Sequence, residues 1–157
     1  MSGLIAPPIP HFSGILGTGG GGGGGGSTFT ITTSVALTEG DIIYITAAGE
    51  AGLADPSLAL SPSRYSAVGV SRGTYAPGDM AIINSDMITK AAVYMDAIPL
   101  AASNGQDVYL STTAGQATLT PPPVGNALVH IGILLGADGV TQTPEVLLQF
   151  QVIALVP

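Results

Sequence analysis

Two histidines are the only side chains in this sequence that titrate unperturbed near neutral pH, and neither sits in a catalytic pattern. His11 lies in Pro10-His11-Phe12, where a polar ring is most simply solvated. His130 lies in Leu128-Val129-His130-Ile131-Gly132-Ile133 and shares its strand face with Leu128 and Leu134, so it reads as a hydrogen-bonded core or interface residue. A metal on His130 would need partners from other subunits meeting on an axis, because a site takes at least three protein ligands. Cysteine is absent, which excludes thiolate chemistry and disulfides and leaves the redox compartment unmarked. Ser61-Pro62-Ser63 lacks the Gly-x-Ser-x-Gly elbow of a hydrolase nucleophile. The carboxylates fall mostly in turns (Glu39-Gly40-Asp41, Gly78-Asp79, Asp138-Gly139), where Asp bonds its own backbone, and no Asp-x-Asp-x-Asp-Gly loop points to calcium. The run Gly19 to Gly26 matches a phosphate-binding pattern trivially, but no strand precedes it and no lysine follows it. These residues predict no catalytic group, no metal and no cofactor: the chain is expected not to be an enzyme.

The elements that carry these residues are short and alternating. The plan of the chain centres on Gly105-Gln-Asp-Val-Tyr-Leu-Ser-Thr-Thr-Ala-Gly-Gln-Ala-Thr-Leu-Thr-Pro-Pro-Pro123, a turn, a period-two strand, a second turn and a return strand that three prolines stop. An upstream stretch, Gly40 to Leu53, follows the same plan, with Tyr44 matching Tyr109. Each copy leads through a proline-bearing loop into an apolar run, with Val-Gly-Val at 68–70 and Ile-Gly-Ile at 131–133. Matched tyrosines of this kind read as packing residues with a bonded hydroxyl. Further strands are expected at 28–33, 65–72, 80–84, 87–94 and 145–156, with at most a helical turn at 58–60 and a short helix at 98–104. Helical periodicity over eleven residues appears nowhere. The expected fold is all-β: an antiparallel sandwich or barrel of two related β units.

Three segments divide the chain. Residues 1–18 carry no charged side chain, hold Pro7, Pro8 and Pro10, and present isolated apolar groups; proline excludes helix over most of them, so they read as an extended arm with hydrophobic anchors. Residues 19–27 are a glycine linker spanning about 15 Å root-mean-square as a flexible coil. Residues 28–157 form the β domain. Its last strand, 145–156, begins near alternation and ends fully apolar, so Phe150, Val152 and Leu155 are expected in the core or, failing that, against another subunit.

Composition narrows the class further. Charged residues are 8% of the chain against roughly 25% in ordinary soluble domains, while the hydrophobic fraction is 46%. Such a chain has too little charged surface for a solvated monomer and is expected to bury surface against copies of itself or a larger assembly. Three basic residues and a net charge of −7 leave no basic footprint for nucleic acid. No window offers the roughly 20 unbroken apolar residues of a spanning helix, and no charged, apolar leader opens the sequence, so neither a membrane partner nor export is expected.

With Gly40-Asp-x-x-Tyr44, Ser66-Ala-Val-Gly-Val70, Pro77-Gly-Asp-Met-Ala-Ile-Ile83 and Asn84-Ser-Asp-Met-Ile-Thr89 in view, the chain resembles the head-decoration, or capsid-cement, proteins of tailed bacteriophages. The stretch Val108 to Thr118, then prolines and Ile-Gly-Ile, is similar to a module also found in phage tail-fibre proteins. The resemblance covers about residues 35–156; the glycine run departs from it. It implies a small β protein, often a homotrimer, made in the host cytoplasm and bound to the major capsid protein on the virion surface. It also implies that the arm adds to the capsid sheet through Ile5, Pro7, Pro8, Ile9, Pro10 and Phe12, alternate side chains entering pockets. The competing reading is a fibre or host-recognition module that binds a cell-surface glycan, for which aromatics clustered in exposed loops would speak. The eight aromatics instead lie mostly in expected strands, Tyr65 and Tyr94 among them.

Overall fold

A computed structural model of the chain describes residues 27–85 and 89–156. Within them the protein is all-β, with ten strands in two antiparallel five-stranded sheets, one of them curled into a half-barrel. The strands are β1 (Thr28–Thr32), β2 (Ile42–Ile45), β3 (Ala51–Leu53), β4 (Gly69–Ser71), β5 (Met80–Asn84), β6 (Lys90–Ala92), β7 (Asp107–Leu110), β8 (Ala117–Thr118), β9 (Asn126–Leu134) and β10 (Glu145–Val156). The expected arm lies outside the described residues, as does the start of the strand expected at 87.

The two units repeat each other strand for strand. The first sheet runs β1-β5-β4-β2-β3 and the second β6-β10-β9-β7-β8, so each strand of the first has its counterpart five places later in the same position. The backbone bonds repeat as well. Gly40 N–H donates to Ser71 C=O at 2.9 Å, and Gly105 N–H to Leu134 C=O at 2.7 Å. Arg72 N–H donates to Ile82 C=O at 2.9 Å, and Leu135 N–H to Glu145 C=O at 2.9 Å. Even the isolated parallel bridges match, Thr33 with Ala51 and Met95 with Ala117. Gly40 and Gly105 open the equivalent strands at φ of 91° and 90°, a conformation that disfavours a Cβ, which is why this glycine recurs in both copies.

Period-two alternation decides what each unit buries. Ile42 and Tyr44 of β2 enter a large core shared with the second sheet, where Val70 meets Val108, Leu110, Ile131, Leu134 and Leu148. Ile43 points the other way, into a smaller cluster with Leu37, Ala51, Ala81 and Ile83. The units are also joined by backbone: Ile42 N–H donates to Gly115 C=O at 2.7 Å, Tyr94 N–H to Gly40 C=O at 2.9 Å and Ala127 N–H to Pro56 C=O at 2.7 Å. Two local expectations change. Pro62, whose fixed φ suits a helical first turn, starts a 3₁₀ turn over Pro62–Tyr65, so the strand expected from 65 begins only at Gly69; the turn expected at 58–60 is a single hydrogen-bonded turn, Leu60 N–H donating to Ser57 C=O at 3.2 Å. The expected helix at 98–104 is a single 3₁₀ turn, Ala101–Ser103.

Asp41 lies at the seam between the units. Its Oδ2 accepts the Thr38 N–H at 2.7 Å, and Gly115 passes so close that a Cβ there would meet Asp41 Oδ1 at 3.3 Å. Burial raises its pKa to about 6, against the smaller, opposing effect of the Thr38 bond. The folded state therefore binds this proton more tightly than the unfolded chain. The associated stabilisation is complete below the unfolded value of 3.8 and is lost as pH rises through about 6. Asp138 is shifted downward by backbone bonds from Thr141 and Val140, so its contribution changes only at lower pH. Melting is thus expected to be higher at pH 5 than at pH 7.5, by on the order of 1 kcal/mol after solvent screening. Asp41→Asn should flatten that slope; an unchanged slope in the variant would place the proton elsewhere.

Candidate functional site

The longest element is also the least covered. β10 has 12 residues, whereas its counterpart β5 has 5. β9 pairs with β10 from Val146 to Val156, but β6 covers only Glu145, Val146 and Leu147 on the other edge. The last bond on that edge is from Leu148 N–H to Thr89 C=O at 2.8 Å. Beyond Leu148 no strand pairs with this edge among the described residues. Up to Leu148 the strand is core, with Val146 and Leu148 fully buried. Phe150 is half-buried against the large core, and then Val152, Ile153 and Leu155 are 42%, 51% and 54% exposed. Of the two coverings expected for this strand, core or another subunit, the single chain supplies core over Val146 and Leu148 but not over Val152 and Leu155. No charged residue follows Glu145 in the sequence, so the open edge also lacks the lysines and prolines that normally block strand addition up to Val156.

The base of this ribbon is shaped by bulges. Leu148 pairs with Gly132 and Gln151 with His130, so Gln149 and Phe150 face Ile131 alone. Further irregularities fall between Val152 and Ala154 and, on β7, between Val108 and Tyr109. Bulges bend the strand and increase its twist, and here they also take the Gln149 carbonyl out of the ladder. His130 bonds it: Nδ1 lies 3.1 Å from Gln149 O. A carbonyl only accepts, so Nδ1 carries a hydrogen. Nε2 faces Asp107 Oδ1 at 2.9 Å, and the ring meets Tyr109 edge-on at 6.1 Å. Both ring nitrogens are thereby engaged, and the ring is a brace between β7, β9 and β10. The sequence reading of His130 as a hydrogen-bonded interior residue agrees with this placement; its partners depend on a bulge that no local pattern announces.

Three concavities lined by described residues are shallow. One groove of about 230 Å³ runs past Met95, Ile98, Leu100 and Leu119, and a second of about 170 Å³, sharing Asp96, Thr118 and Thr120, ends on Pro121 to Pro123. A third, about 250 Å³, lies by Leu53, where Arg64 stands 5.9 Å above the Tyr44 ring. Each is smaller than the ~300 Å³ at which ligand pockets begin. The described residues contain no group of three His, Asp or Glu side chains placed to hold a metal. Tyr65 lies in the 3₁₀ turn and Tyr94 beyond the end of β6, not in strands as expected. None of the described aromatic side chains is exposed, in loops or elsewhere.

The sequence-predicted arm residues Ile5, Pro7, Pro8, Ile9, Pro10 and Phe12 lie outside the described residues, as does His11. Of the predicted strand residues, Val152 and Leu155 are both exposed on the second half of β10, and Phe150 packs against the core. No protein-family model matches the chain, and no curated protein matches it.

Proposed function

We propose that this chain is a structural, non-enzymatic virion protein that binds the outer surface of a tailed-phage capsid and stabilises it by bridging capsomers. Residues 1–18 act as the anchor, the major capsid protein is the partner, and the working form is an oligomer, a homotrimer by the resemblance set out above. The observation that carries this reading is the terminal half of β10, apolar, uncharged and open along one edge, a surface suited to burial against protein. The duplicated, backbone-stitched core supports it as a rigid platform with shallow grooves. A glycan-binding fibre module is less well supported, since sugars stack on exposed aromatic faces and the described residues offer none.

Co-sedimentation with expanded, undecorated phage shells tests the proposal. Binding is expected to saturate at a fixed number of copies per shell. It should persist at 1 M salt, where the Debye length is about 3 Å, because apolar burial needs no long-range charge. Release at moderate salt, or binding to a glycan and not to shells, would overturn it.

A further inference from the structure

We infer that the cleft beside Arg64 and Leu53 receives the carboxylate of an acidic side chain presented by a protein partner, with the Tyr44 ring holding the Arg64 guanidinium ready for it. This goes beyond the role proposed above, and its test needs no capsid. The first observation is a cation left without an acid. The chain has three basic residues against ten acidic ones. Among the described residues the ion pairs are Lys90 with Glu145 and His130 with Asp107, and Arg64 takes part in neither. Its carbonyl accepts the Asp55 N–H at 2.8 Å, but the Asp55 carboxylate is engaged by the Ser57 N–H at 2.9 Å. No hydrogen bond within the described residues uses the Arg64 guanidinium. A ring holds it instead, with Cζ 5.9 Å from the Tyr44 centroid. A guanidinium seated over an aromatic face keeps its N–H fork for a planar, anionic acceptor.

The second observation is that only one of the two repeated units builds this arrangement. Tyr44 pairs across strands with Gly52, and a Cβ on Gly52 would stand 2.6 Å from Tyr44 Cε1, so the ring lies across that glycine. The counterpart Tyr109 pairs with Thr118, and its ring meets His130 edge-on. Residues 119–131, which follow Thr118, contain no arginine or lysine. The units share the tyrosine and differ in what stands over it, a difference that their common strand plan does not require.

The third observation is the space next to the cation. A cleft of about 250 Å³ is lined by Val35, Leu53 and Ala114 together with Tyr44 and Arg64. It falls short of the ~300 Å³ of a small-molecule pocket, yet it has room for one side chain. The methylene stem of a glutamate would lie against the apolar lining while its carboxylate meets the fork of Arg64. Tyrosine and arginine are the residue types that carry much of the energy at protein interfaces. The net charge of −7 opposes carboxylates at long range, so this contact selects and orients a partner rather than speeding its arrival.

NMR titration of the full chain with sodium propionate, the side chain of glutamate without its backbone, and with its uncharged isostere propionamide tests this. Propionate is expected to shift the Tyr44 ring, the Leu53 methyls and the Arg64 Nε–H saturably, and propionamide to bind about tenfold more weakly or worse. Arg64→Gln should weaken propionate by about tenfold or more while the β9 amides stay in place as a check on folding. Arg72→Gln, which removes an exposed arginine elsewhere, should leave the affinity unchanged. Equal binding of the two probes to the unaltered chain would overturn the inference. So would propionate affinity that survives Arg64→Gln, or shifts that fail to saturate by about 100 mM and appear equally around Arg72, which would mark a diffuse ion atmosphere only.

Discussion

Gly132→Ala is expected to lower stability by about 3 kcal/mol or more, enough to remove most of the margin of a domain this size. Gly132 lies in β9 between β7 and β10, opposite Val108 on one side and Leu148 on the other. A Cβ there would collide with the Leu147 carbonyl and stand 2.9 Å from Val146 Cγ1. Neither neighbour is the far end of a flexible side chain: one is ladder backbone, the other a buried valine of β10. The equivalent Gly69 of the first unit would place a Cβ 2.6 Å from Asn84 O. Gly105→Ala is the contrast, because its surroundings are open and only the positive φ resists, at roughly 1–2 kcal/mol. Chemical denaturation measures all three. A Gly132→Ala cost no larger than that of Gly105→Ala would contradict the close approach of β9 and β10 and, with it, the packing of the second sheet.

Deleting Met1 to Thr18 is expected to reduce shell attachment by three to four orders of magnitude while a cooperative melting transition remains. Burying one large apolar side chain contributes roughly 1.5–3 kcal/mol, and Ile5, Ile9 and Phe12 together offer about 5 kcal/mol, a factor of several thousand. Phe12→Ala alone should weaken attachment by about one to two orders of magnitude per arm. The β domain is expected to keep its fold because, among the described residues, the shared core starts at Ile42 and closes between the two sheets. Shell titration and a thermal scan on the same preparations separate the two effects. Loss of the melting transition on deletion would make the arm part of the core; full attachment without the arm would move the contact surface onto the β domain.

What the sequence disclosed, and what it hid, follows from how local each determinant is. The two units were legible because Gly40 and Gly105, with their positive φ, and the alternating residues around Tyr44 and Tyr109 write the same turn and strand twice. The all-β class followed from that alternation. Tyr65, which ends the 3₁₀ turn at Pro62–Tyr65, was expected to open a strand because Tyr65 and Val68 look β-favouring, while Pro62 fixes the turn that precedes it. The apolar end of β10 was expected in the core or against another subunit; within the single chain Val152 and Leu155 are exposed, and hydrophobicity alone does not say which neighbour covers a strand. Burial depends on neighbours, and among the described residues β6 pairs with β10 only from Glu145 to Leu147. The candidate surface was therefore half visible: Phe150, Val152 and Leu155 were singled out, but the edge that exposes them arises from the unequal lengths of β6 and β10. The bonds of His130 to Gln149 and Asp107 depend on bulge register, which residue types alone do not encode.

The calorimetric transition of expanded shells, recorded bare and then saturated with this protein, tests the cementing role most directly. A protein that bridges capsomers binds the intact shell and loses its bridging site when the shell comes apart, so mass action must raise the transition. The account predicts an upward shift of several degrees that grows with occupancy and disappears with the chain lacking Met1 to Thr18. Fully occupied shells that melt at the temperature of bare ones would contradict it.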